Sequence, residues 1–300
     1  MAALHLYPSA PPLSPLCLGG STFGRENDQT AAFALMDGAI ERGITLIDTA
    51  ATYSAGASEQ IVGAWLADRR PDPRQLSVAT KIYPPYAPAS IDLAVTASAA
   101  RLGVATIDVL YLHKWDATAE TPEALQALDR LLQSGRVRVL GMSNFTADQL
   151  AATLQLQTQL GLTPFRVLQN NHNLAVRDVD ARLRGICSQY GIALVTYSPL
   201  GAGFLTGKHR HGVAPGSRFD VAPGHQAVYF NPTAERRLDH LAAISARTGL
   251  PMEHLALAWA VHQPGVASVL IGGRTAAHLD QAFAALNFND PTLFSELESV

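Results

Sequence analysis

Residues 43–53 read Gly-Ile-Thr-Leu-Ile-Asp-Thr-Ala-Ala-Thr-Tyr and contain the pattern that decides the fold. The apolar run at residues 44–47 predicts a short buried strand, which ends abruptly in Asp48 and is followed by Tyr53. Polar residues that break a buried-strand pattern tend to lie at functional sites. An Asp at a strand end is also common because Asp starts turns and caps helices. The stretch becomes informative because other buried runs of the chain also end in polar residues.

Short apolar runs alternate with helical patterns along the whole chain, at a spacing of roughly 30 residues. We predict strands at residues 16–18, 44–47, 76–80, 107–112, 137–142, 165–168, 192–196 and 268–271. We predict helices at residues 28–42, 58–67, 90–102, 121–133, 146–160, 178–190, 233–248, 252–262 and 276–286, the last of which closes the chain. Residues 201–231 are expected to form a long irregular loop before the seventh barrel helix.

Strands that alternate with helices favour parallel βαβ units, and eight such units that close on themselves form a (β/α)8 TIM barrel. The rival architecture, a doubly wound open sheet, normally has a Gly-x-Gly-x-x-Gly turn after its first strand. Residues 19–24 read Gly-Gly-Ser-Thr-Phe-Gly and do not have that spacing. We therefore predict an α/β fold with a single TIM-barrel domain over residues 1–300.

Composition argues against several classes of protein. Apolar residues make up 48% of the chain, and the net charge of −3 and pI near 6.3 argue against a nucleic-acid partner. Cys17 and Cys187 lie far apart without redox or metal spacing, which is typical of a reducing compartment. The first fifteen residues lack a signal-peptide pattern, and no stretch is apolar enough for a membrane span. The sequence predicts a soluble cytoplasmic protein.

Polar and ionisable residues follow most of the predicted strands. They are Asp48, Tyr53, Lys81, His113, Ser143, Asn144, Gln169, Tyr197 and Arg274. In a barrel these residues all lie at the carboxyl ends of the strands, where barrel enzymes have their active sites. Each residue alone has an ordinary structural explanation, such as a solvated lysine or a core histidine. Their occurrence on one rim favours a shared site.

These side chains suit the reduction of a carbonyl group. A free tyrosine has a pKa of about 10, which an ammonium such as Lys81 lowers, while a carboxylate such as Asp48 holds the ammonium in place. Tyr53 can then protonate an oxygen that is becoming an alkoxide, and a neutral His113 can orient the carbonyl. No side chain supplies hydride, so the reduction requires a nicotinamide, which amide side chains and an aromatic ring on the same rim could hold.

Five motifs make the chain similar to the aldo-keto reductases over nearly its whole length. They are residues 43–50 with Tyr53, Ser58-Glu59 and Gly63; Ala-Thr-Lys at 79–81; Asp-Val-Leu-Tyr-Leu-His at 108–113; Gly-Met-Ser-Asn-Phe at 141–145; and Tyr-Ser-Pro-Leu-Gly-Ala-Gly-Phe-Leu-Thr-Gly-Lys at 197–208. The last motif, together with Gly-Ser-Arg-Phe at 216–219, resembles the bacterial long-loop and aflatoxin-aldehyde-reductase-like branches more than the short-loop aldose reductases.

The resemblance implies a role for each of these residues. Tyr53 would be the general acid, Lys81 and Asp48 its tuning pair, and His113 the residue that orients the carbonyl. The implied cofactor residues are Ser143, Asn144 and Gln169 on the nicotinamide carboxamide, Tyr197 stacked on the ring, Ser198, Pro199, Leu200, Gly201 and Gly203 near the pyrophosphate, and Gly20, Ser21, Lys208, Arg218, Gly272, Arg274 and His278 as further contacts.

The C-terminal cofactor motif departs from the family pattern. Many relatives read Ile-Pro-Gly-x-Arg/Lys, then Gln, then a Glu-Asn pair that contacts adenine. Here Ile271 stands at the proline, His278 at the Gln, and Gln281-Ala282 at the Glu-Asn pair. Arg274 is retained, and its fork of donors suits a 2′-phosphate, so we expect NADPH, with NAD(H) as the other candidate.

The long loop, residues 201–231, has two interpretations. Loops of this length are usually lids or binding segments. It could be a mobile solvated loop, or a belt over the cofactor phosphates to which Arg218 contributes. Its histidines, His209, His211 and His225, have no carboxylate or cysteine partners at ligand spacing, so we expect no metal.

We predict an NADP(H)-dependent oxidoreductase that reduces an aldehyde, ketone or sugar carbonyl, or catalyses the reverse reaction. Tyr83, Trp115 and Phe145 are candidates for the substrate pocket, although aromatic residues here could equally pack the barrel top. The alternative is a nicotinamide-binding sensor or regulatory subunit with little turnover, as in the potassium-channel β subunits of this family. A metal-dependent hydrolase is disfavoured because Asp48 and His113 alone form no metal cluster. The oligomeric state is open.

Overall fold

The computed structural model describes residues 4–300, whose strands form one closed parallel barrel. The strands are β1 (Leu16–Gly19), β2 (Leu46–Asp48), β3 (Ser77–Ile82), β4 (Ile107–Leu112), β5 (Val137–Ser143), β6 (Val167–Asn171), β7 (Ala193–Tyr197) and β8 (Val266–Ile271). Each strand pairs in parallel with the next, and β8 closes on β1, so that Leu18 lies between Ile47 and Ile271. The predicted single-domain (β/α)8 TIM barrel is confirmed.

Helices surround the barrel. They are α1 (Gln29–Glu41), α2 (Ala57–Arg69), α3 (Pro88–Leu102), α4 (Pro122–Gln133), α5 (Ala147–Gln159), α6 (Ala181–Tyr190), α7 (Arg218–Val221), α8 (Gln226–Tyr229), α9 (Pro232–Thr248), α10 (Met252–Val261), α11 (Ala276–Leu286) and α12 (Pro291–Glu298). Crossing a bilayer requires a longer and more apolar helix than any that residues 4–300 form.

The starts of several helices follow from side-chain caps. The side chains of Asp28, Thr121 and Asp180 accept hydrogen bonds from first-turn N–H groups of α1, α4 and α6. Thr146 and Gln149 form a reciprocal capping box at the start of α5. The predicted starts at residues 121 and 146 are therefore one residue early, because apolar spacing does not separate a cap from the first helical residue.

The prediction that the chain closes with α11 is wrong, because α12 follows it. Arg177 donates to the carbonyl oxygens of Leu297 and Glu298 at 3.2 and 3.0 Å, at the carboxyl end of α12. Trp259 and Gln263 each donate to the Glu298 carboxylate at 2.8 Å. These partners are remote in sequence, so no local pattern reveals that this eight-residue helix is held against the barrel.

Residues 201–231 were predicted to form an irregular loop, but the segment contains short helical pieces. They include a 3-10 segment at Gly201–Thr206 and the single-turn helices α7 and α8. Phe219 and Tyr229 are buried, and the rings of Phe204 and Phe230 lie 5.9 Å from Tyr229 and 4.9 Å from Phe219 respectively. This aromatic packing favours a segment held against the barrel over a solvated loop.

The barrel interior is filled by small and medium apolar side chains. Val109, Val139 and Val195 belong to one such cluster and are at most 5% exposed. The amino-terminal end of the barrel is covered by the segment around Tyr7, whose hydroxyl lies 3.0 Å from Ser77 Oγ at the start of β3. With this end closed, the carboxyl end of the barrel is left to form a cavity.

Replacing Gly63 with alanine will destabilise the protein. A Cβ at this position in α2 would lie 2.4 Å from the carbonyl oxygen of Arg101 in α3, so the two helices would have to move apart. We expect a loss of about 1–3 kcal/mol in the free energy of unfolding, measured by urea denaturation. Gly185 in α6 is the matched control, because its Cβ would contact nothing within 4 Å. Gly185→Ala should stabilise by about 0.5–1 kcal/mol, and equal effects at both positions would contradict the packing argument.

Candidate active site

A cavity of about 660 Å³ opens at the carboxyl ends of the strands. This volume is typical of a site for a small molecule or cofactor. Asp48 ends β2, Ser143 ends β5 and Tyr197 ends β7, while His113 directly follows β4. The barrel therefore brings these four side chains to one cavity, although Asp48 and Tyr197 are 149 positions apart in sequence.

The Lys81 ammonium lies at the centre of the site. It donates to the Asp48 carboxylate, to the Thr49 carbonyl oxygen at 3.0 Å and to the Tyr53 hydroxyl oxygen at 3.3 Å. An ammonium has three N–H donors, so each donor has one acceptor. The side chains of Lys81 and Asp48 are 1% and 0% exposed, which means that neither charge is compensated by water. Lys81 was predicted to follow the strand, but it lies within β3. The strand backbone therefore fixes its position.

Burial governs the protonation of the Tyr53 hydroxyl. Loss of hydration raises the pKa of Tyr53, the Lys81 ammonium lowers it, and the net pKa lies above its ordinary value. Lys81 therefore lowers this pKa, as expected, but the effect of burial is larger. Burial also lowers the pKa of Lys81, but Asp48 and then Tyr53 outweigh it, and the net pKa is raised. At neutral pH the tyrosine keeps its proton and the lysine its charge.

His113 is uncharged and lies beside Tyr53. Its ring meets the Tyr53 ring edge-on, with centroids 5.7 Å apart, and Thr52 Oγ1 lies 3.2 Å from its Nδ1. Burial, and then the positive charges of Lys81 and Lys114, lower the pKa of His113 to about 3. A neutral imidazole keeps one N–H, so His113 can donate a hydrogen bond without carrying a charge.

Amide side chains join the neighbouring strands on the other side of Asp48. Gln169 Nε2 donates to Asp48 Oδ2 at 2.9 Å. Asn144, which has a φ of 60°, donates to the His113 carbonyl oxygen at 2.9 Å, and its Oδ1 accepts from the Tyr197 hydroxyl at 2.6 Å. These contacts fix an amide and an aromatic ring at the cavity wall, next to the Tyr53 and His113 pair.

The far end of the cavity is cationic. Lys208, Arg218 and Arg274 line it, and none of the ion pairs formed within residues 4–300 involves them. Arg218 Nη1 is buried without a hydrogen-bond partner. Burial, and then repulsion by Arg274, lower the pKa of Lys208. Positive charges that repel one another without a carboxylate favour an anionic ligand.

Most of the predicted cofactor residues line this cavity. They are Ser21, Ser143, Asn144, Gln169, Tyr197, Ser198, Pro199, Leu200, Gly203, Lys208, Arg218, Gly272, Arg274 and His278. Gly20 and Gly201 do not line it, contrary to the prediction. Gly20 lies behind the wall, where its N–H donates to the Asp48 carbonyl oxygen at 2.8 Å, and Gly201 is buried against the Tyr229 ring.

None of the three predicted substrate residues lines this cavity, and their surroundings differ. Tyr83 is 49% exposed and meets the His113 ring edge-on at 5.8 Å, so it lies beside the catalytic candidates. Trp115 is half-buried and donates to Glu120 at 2.6 Å. Phe145 is 1% exposed within the core between the barrel and its helices, so its prediction as a pocket residue is wrong.

Some lining residues were missed by the sequence interpretation. They include Thr22, Glu26, His225, Glu253 and Leu257, and also Gln281 and Ala282, which had been noted only as departures from the family pattern. The spacing of Glu253 and Leu257 places them on one face of α10, but a helical period does not say what that face meets. Within residues 4–300, no three His, Cys, Asp or Glu side chains are grouped closely enough to hold a metal ion.

The family is decided by comparison with known sequences. The sequence model described as the aldo/keto reductase family matches residues 15–294. The chain belongs to the aldo/keto reductase family. Membership supports an oxidoreductase that acts on carbonyl groups.

Relatives with reductase names agree with this assignment. The chain is 30% identical to norsolorinic acid reductase B of Aspergillus parasiticus, over 89% of this chain and 75% of that protein. It is 29% identical to an aryl-alcohol dehydrogenase of Pestalotiopsis microspora, over 92% and 75%. It is also 28% identical to a probable voltage-gated potassium channel subunit beta of Oryza sativa, over 93% and 90%.

The imidazole of His113 will stay neutral throughout the physiological range. Burial and two ammonium groups oppose its protonation, so we expect its NMR signals to be constant from pH 8 to pH 5 and to titrate near the lowered pKa of about 3. Exposed His211, whose ring lies outside the cavity lining, is the internal reference. A His113 signal that titrates near pH 6.5 would show that its burial is overstated.

Proposed function

We propose that the chain is an NADPH-dependent reductase that converts an aldehyde, ketone or sugar carbonyl to the alcohol, with the reverse oxidation possible at the same site. The observation that carries this proposal is the buried Lys81 ammonium, which lies between the Asp48 carboxylate and the Tyr53 hydroxyl of the cavity wall. The arrangement provides a proton donor whose conjugate base has a stabilising charge next to it.

The cavity suits a phosphorylated dinucleotide because its two ends differ. One end has amides and an aromatic ring, which suit an uncharged carboxamide and a flat heterocycle; the other end has three unpaired cations, which suit phosphates. Ser143, Asn144 and Gln169 would hold the carboxamide and Tyr197 would pack on the ring. Ser198, Pro199, Leu200 and Gly203 would lie at the pyrophosphate, with Ser21 and Gly272 nearby. Lys208, Arg218, Arg274 and His278 would contact the adenosine phosphates.

The residues around Lys81 would perform the proton transfer. When bound, a reduced nicotinamide supplies hydride to the carbonyl carbon. The Tyr53 hydroxyl gives its proton to the carbonyl oxygen, and Lys81 stabilises the phenolate that remains until solvent returns a proton. Asp48 keeps Lys81 charged and in place. The neutral His113 donates a hydrogen bond to the same oxygen and so orients the carbonyl.

The aromatic surroundings of His113, at the edge of the cavity, favour an apolar or aromatic carbonyl. Exposed Tyr83 lies beside His113, and the Lys114 ammonium lies 4.7 Å from the centre of the Tyr83 ring. The relative named an aryl-alcohol dehydrogenase supports testing aromatic aldehydes and alcohols first. Aldoses are the next class, because half-buried Trp115 offers a ring on which a sugar could stack.

A nicotinamide-binding sensor with little turnover is the second candidate. The similarity to a protein named a probable voltage-gated potassium channel subunit beta supports it. Both functions need the cofactor residues, but only the reductase needs proton transfer from Tyr53. Removing the Tyr53 hydroxyl group should therefore distinguish the reductase from the sensor.

Tyr53→Phe will lower kcat by about 10²- to 10⁴-fold and leave the affinity for NADPH within a few-fold, because only the proton donor is removed. In a stopped-flow instrument, binding is followed by the quench of tryptophan fluorescence, and turnover by NADPH consumption with aldehydes, ketones and aldoses. Tyr190→Phe is the control, since Tyr190 is exposed on α6 and lies outside the cavity lining. Undiminished turnover in Tyr53→Phe would refute the assigned acid, and tight NADPH binding without turnover in the wild type would favour the sensor.

Arg274→Ala will weaken NADPH binding about tenfold or more and change NADH binding little, since a hydrogen bond to a charged group is worth about 1.5–3 kcal/mol. Dissociation constants come from the same fluorescence quench. Arg236→Ala removes an exposed arginine of α9 outside the cavity lining and should leave both constants unchanged. If Arg274→Ala weakens both nucleotides equally, Arg274 does not contact the 2′-phosphate.

A further inference from the structure

Helices α10 and α11 both contribute to the wall of the cavity that the three cations line. On α10, Glu253 and Leu257 are four residues apart and face the cavity together. On α11, the adjacent residues Gln281 and Ala282 also line the cavity. Leu257 and Ala282 are 3% and 1% exposed, so they form an apolar floor. Glu253 is half-buried and Gln281 is exposed, so their polar groups stand at the rim of that floor.

Glu253 is the carboxylate at this wall that is available to a ligand. Within residues 4–300, the acidic residues that line the cavity are Asp48, Glu26 and Glu253. Asp48 pairs with Lys81, and Glu26 pairs with Arg25 at 2.6 Å. Glu253 takes part in no ion pair of this part of the chain, although Lys208 and Arg274 line the same cavity.

We infer that Glu253 is a specificity residue that recognises the exocyclic amino group of adenine, with Gln281 as a second polar contact to the base edge. The inference rests on the proposed NADPH site and identifies the residues of that site that would bind the adenine base. A purine has two apolar faces and a polar edge, which matches an apolar floor with a polar rim. A carboxylate only accepts hydrogen bonds, so it selects a base that presents a donor.

The source of the carboxylate is α10 rather than α11. The side chains that α11 turns to the cavity are His278, Gln281 and Ala282, none of which is acidic. Asp280 of the same helix pairs with Arg42 at 2.7 Å, outside the cavity lining. The neighbouring helix therefore supplies the acceptor, which is a feature of this chain that the spacing within α11 does not reveal.

The inference predicts discrimination between adenine and hypoxanthine. Hypoxanthine has a carbonyl oxygen where adenine has the amino group, and that oxygen would face the Glu253 carboxylate without a hydrogen bond. The full-length protein should bind NADPH about tenfold or more tightly than reduced nicotinamide hypoxanthine dinucleotide phosphate, since a site that loses a hydrogen-bond partner leaves a polar group unpaired. The readout is the dissociation constant from tryptophan fluorescence, which requires no turnover.

Glu253→Gln should reduce the ratio of the two dissociation constants to within about threefold, because an amide can also donate to the hypoxanthine oxygen. Glu253→Ala should do the same by removing the acceptor. Glu235→Gln is the matched control, since it removes an exposed first-turn carboxylate of α9 outside the cavity lining, and it should leave the ratio unchanged. Because both nucleotides carry the same phosphates, a general gain from removing negative charge cancels in the ratio.

Three results would overturn the inference. If the wild type binds both nucleotides equally, or if Glu253→Gln and Glu253→Ala change both constants by the same factor, Glu253 does not contact the base and contacts at most the ribose. If neither nucleotide binds, the proposed NADPH site fails and this inference fails with it. The first pair of results leaves the proposed function intact, so the two failures are distinguishable.

Discussion

The Lys81 ammonium and the Asp48 carboxylate are both removed from water, and each such burial costs several kcal/mol before any attraction is counted. Their surroundings offset this cost with a full set of partners. The Thr49 carbonyl and the Tyr53 hydroxyl take the remaining donors of Lys81, and Gln169 satisfies the second oxygen of Asp48. Loss of one partner of a buried pair typically costs about 3–5 kcal/mol. The geometry of the cavity wall is thus tied to the stability of the barrel.

A second buried carboxylate supports β3 from outside the barrel. Glu59 is fully buried and accepts from Thr80 Oγ1 at 2.5 Å and from Arg101 Nε at 2.6 Å. Thr80 immediately precedes Lys81, and successive side chains of a strand point to opposite faces. Polar contacts therefore hold β3 on its inner face at Lys81 and on its outer face at Thr80. The close approach of α2 to α3 at Gly63 brings Glu59 and Arg101 together, so this packing acts on the position of Lys81.

Sequence patterns reveal features that repeat locally, and they miss features that depend on remote packing. The barrel and the rim residues were predictable because most buried runs end in a polar side chain, as at Asp48. Phe145 was misassigned because the direction of a side chain just past a strand depends on what packs behind it. α12 was missed because its anchor, Glu298, is held by side chains from α10 and its flank. The rise in the pKa of Tyr53 was missed because the extent of burial is a property of the fold.

The two ends of the cavity differ in charge: one end carries unpaired cations, and the other is lined mainly by neutral groups. The cationic end supplies long-range attraction for an anionic ligand, and unpaired charges there have no partner to displace first. At the other end Tyr53 retains its proton and His113 stays uncharged, so the groups that would face a carbonyl in the proposed reaction are neutral. The charged Lys81 acts from behind the wall, where burial strengthens its field. An uncharged carbonyl substrate, as proposed, would therefore approach without displacing a tightly held counterion, and the charge that would stabilise the phenolate is already in place. Neither Tyr53 nor His113 changes protonation near neutral pH, so in the proposed reaction the site would be ready for reduction, whereas oxidation would require Tyr53 first to lose a proton that burial retains.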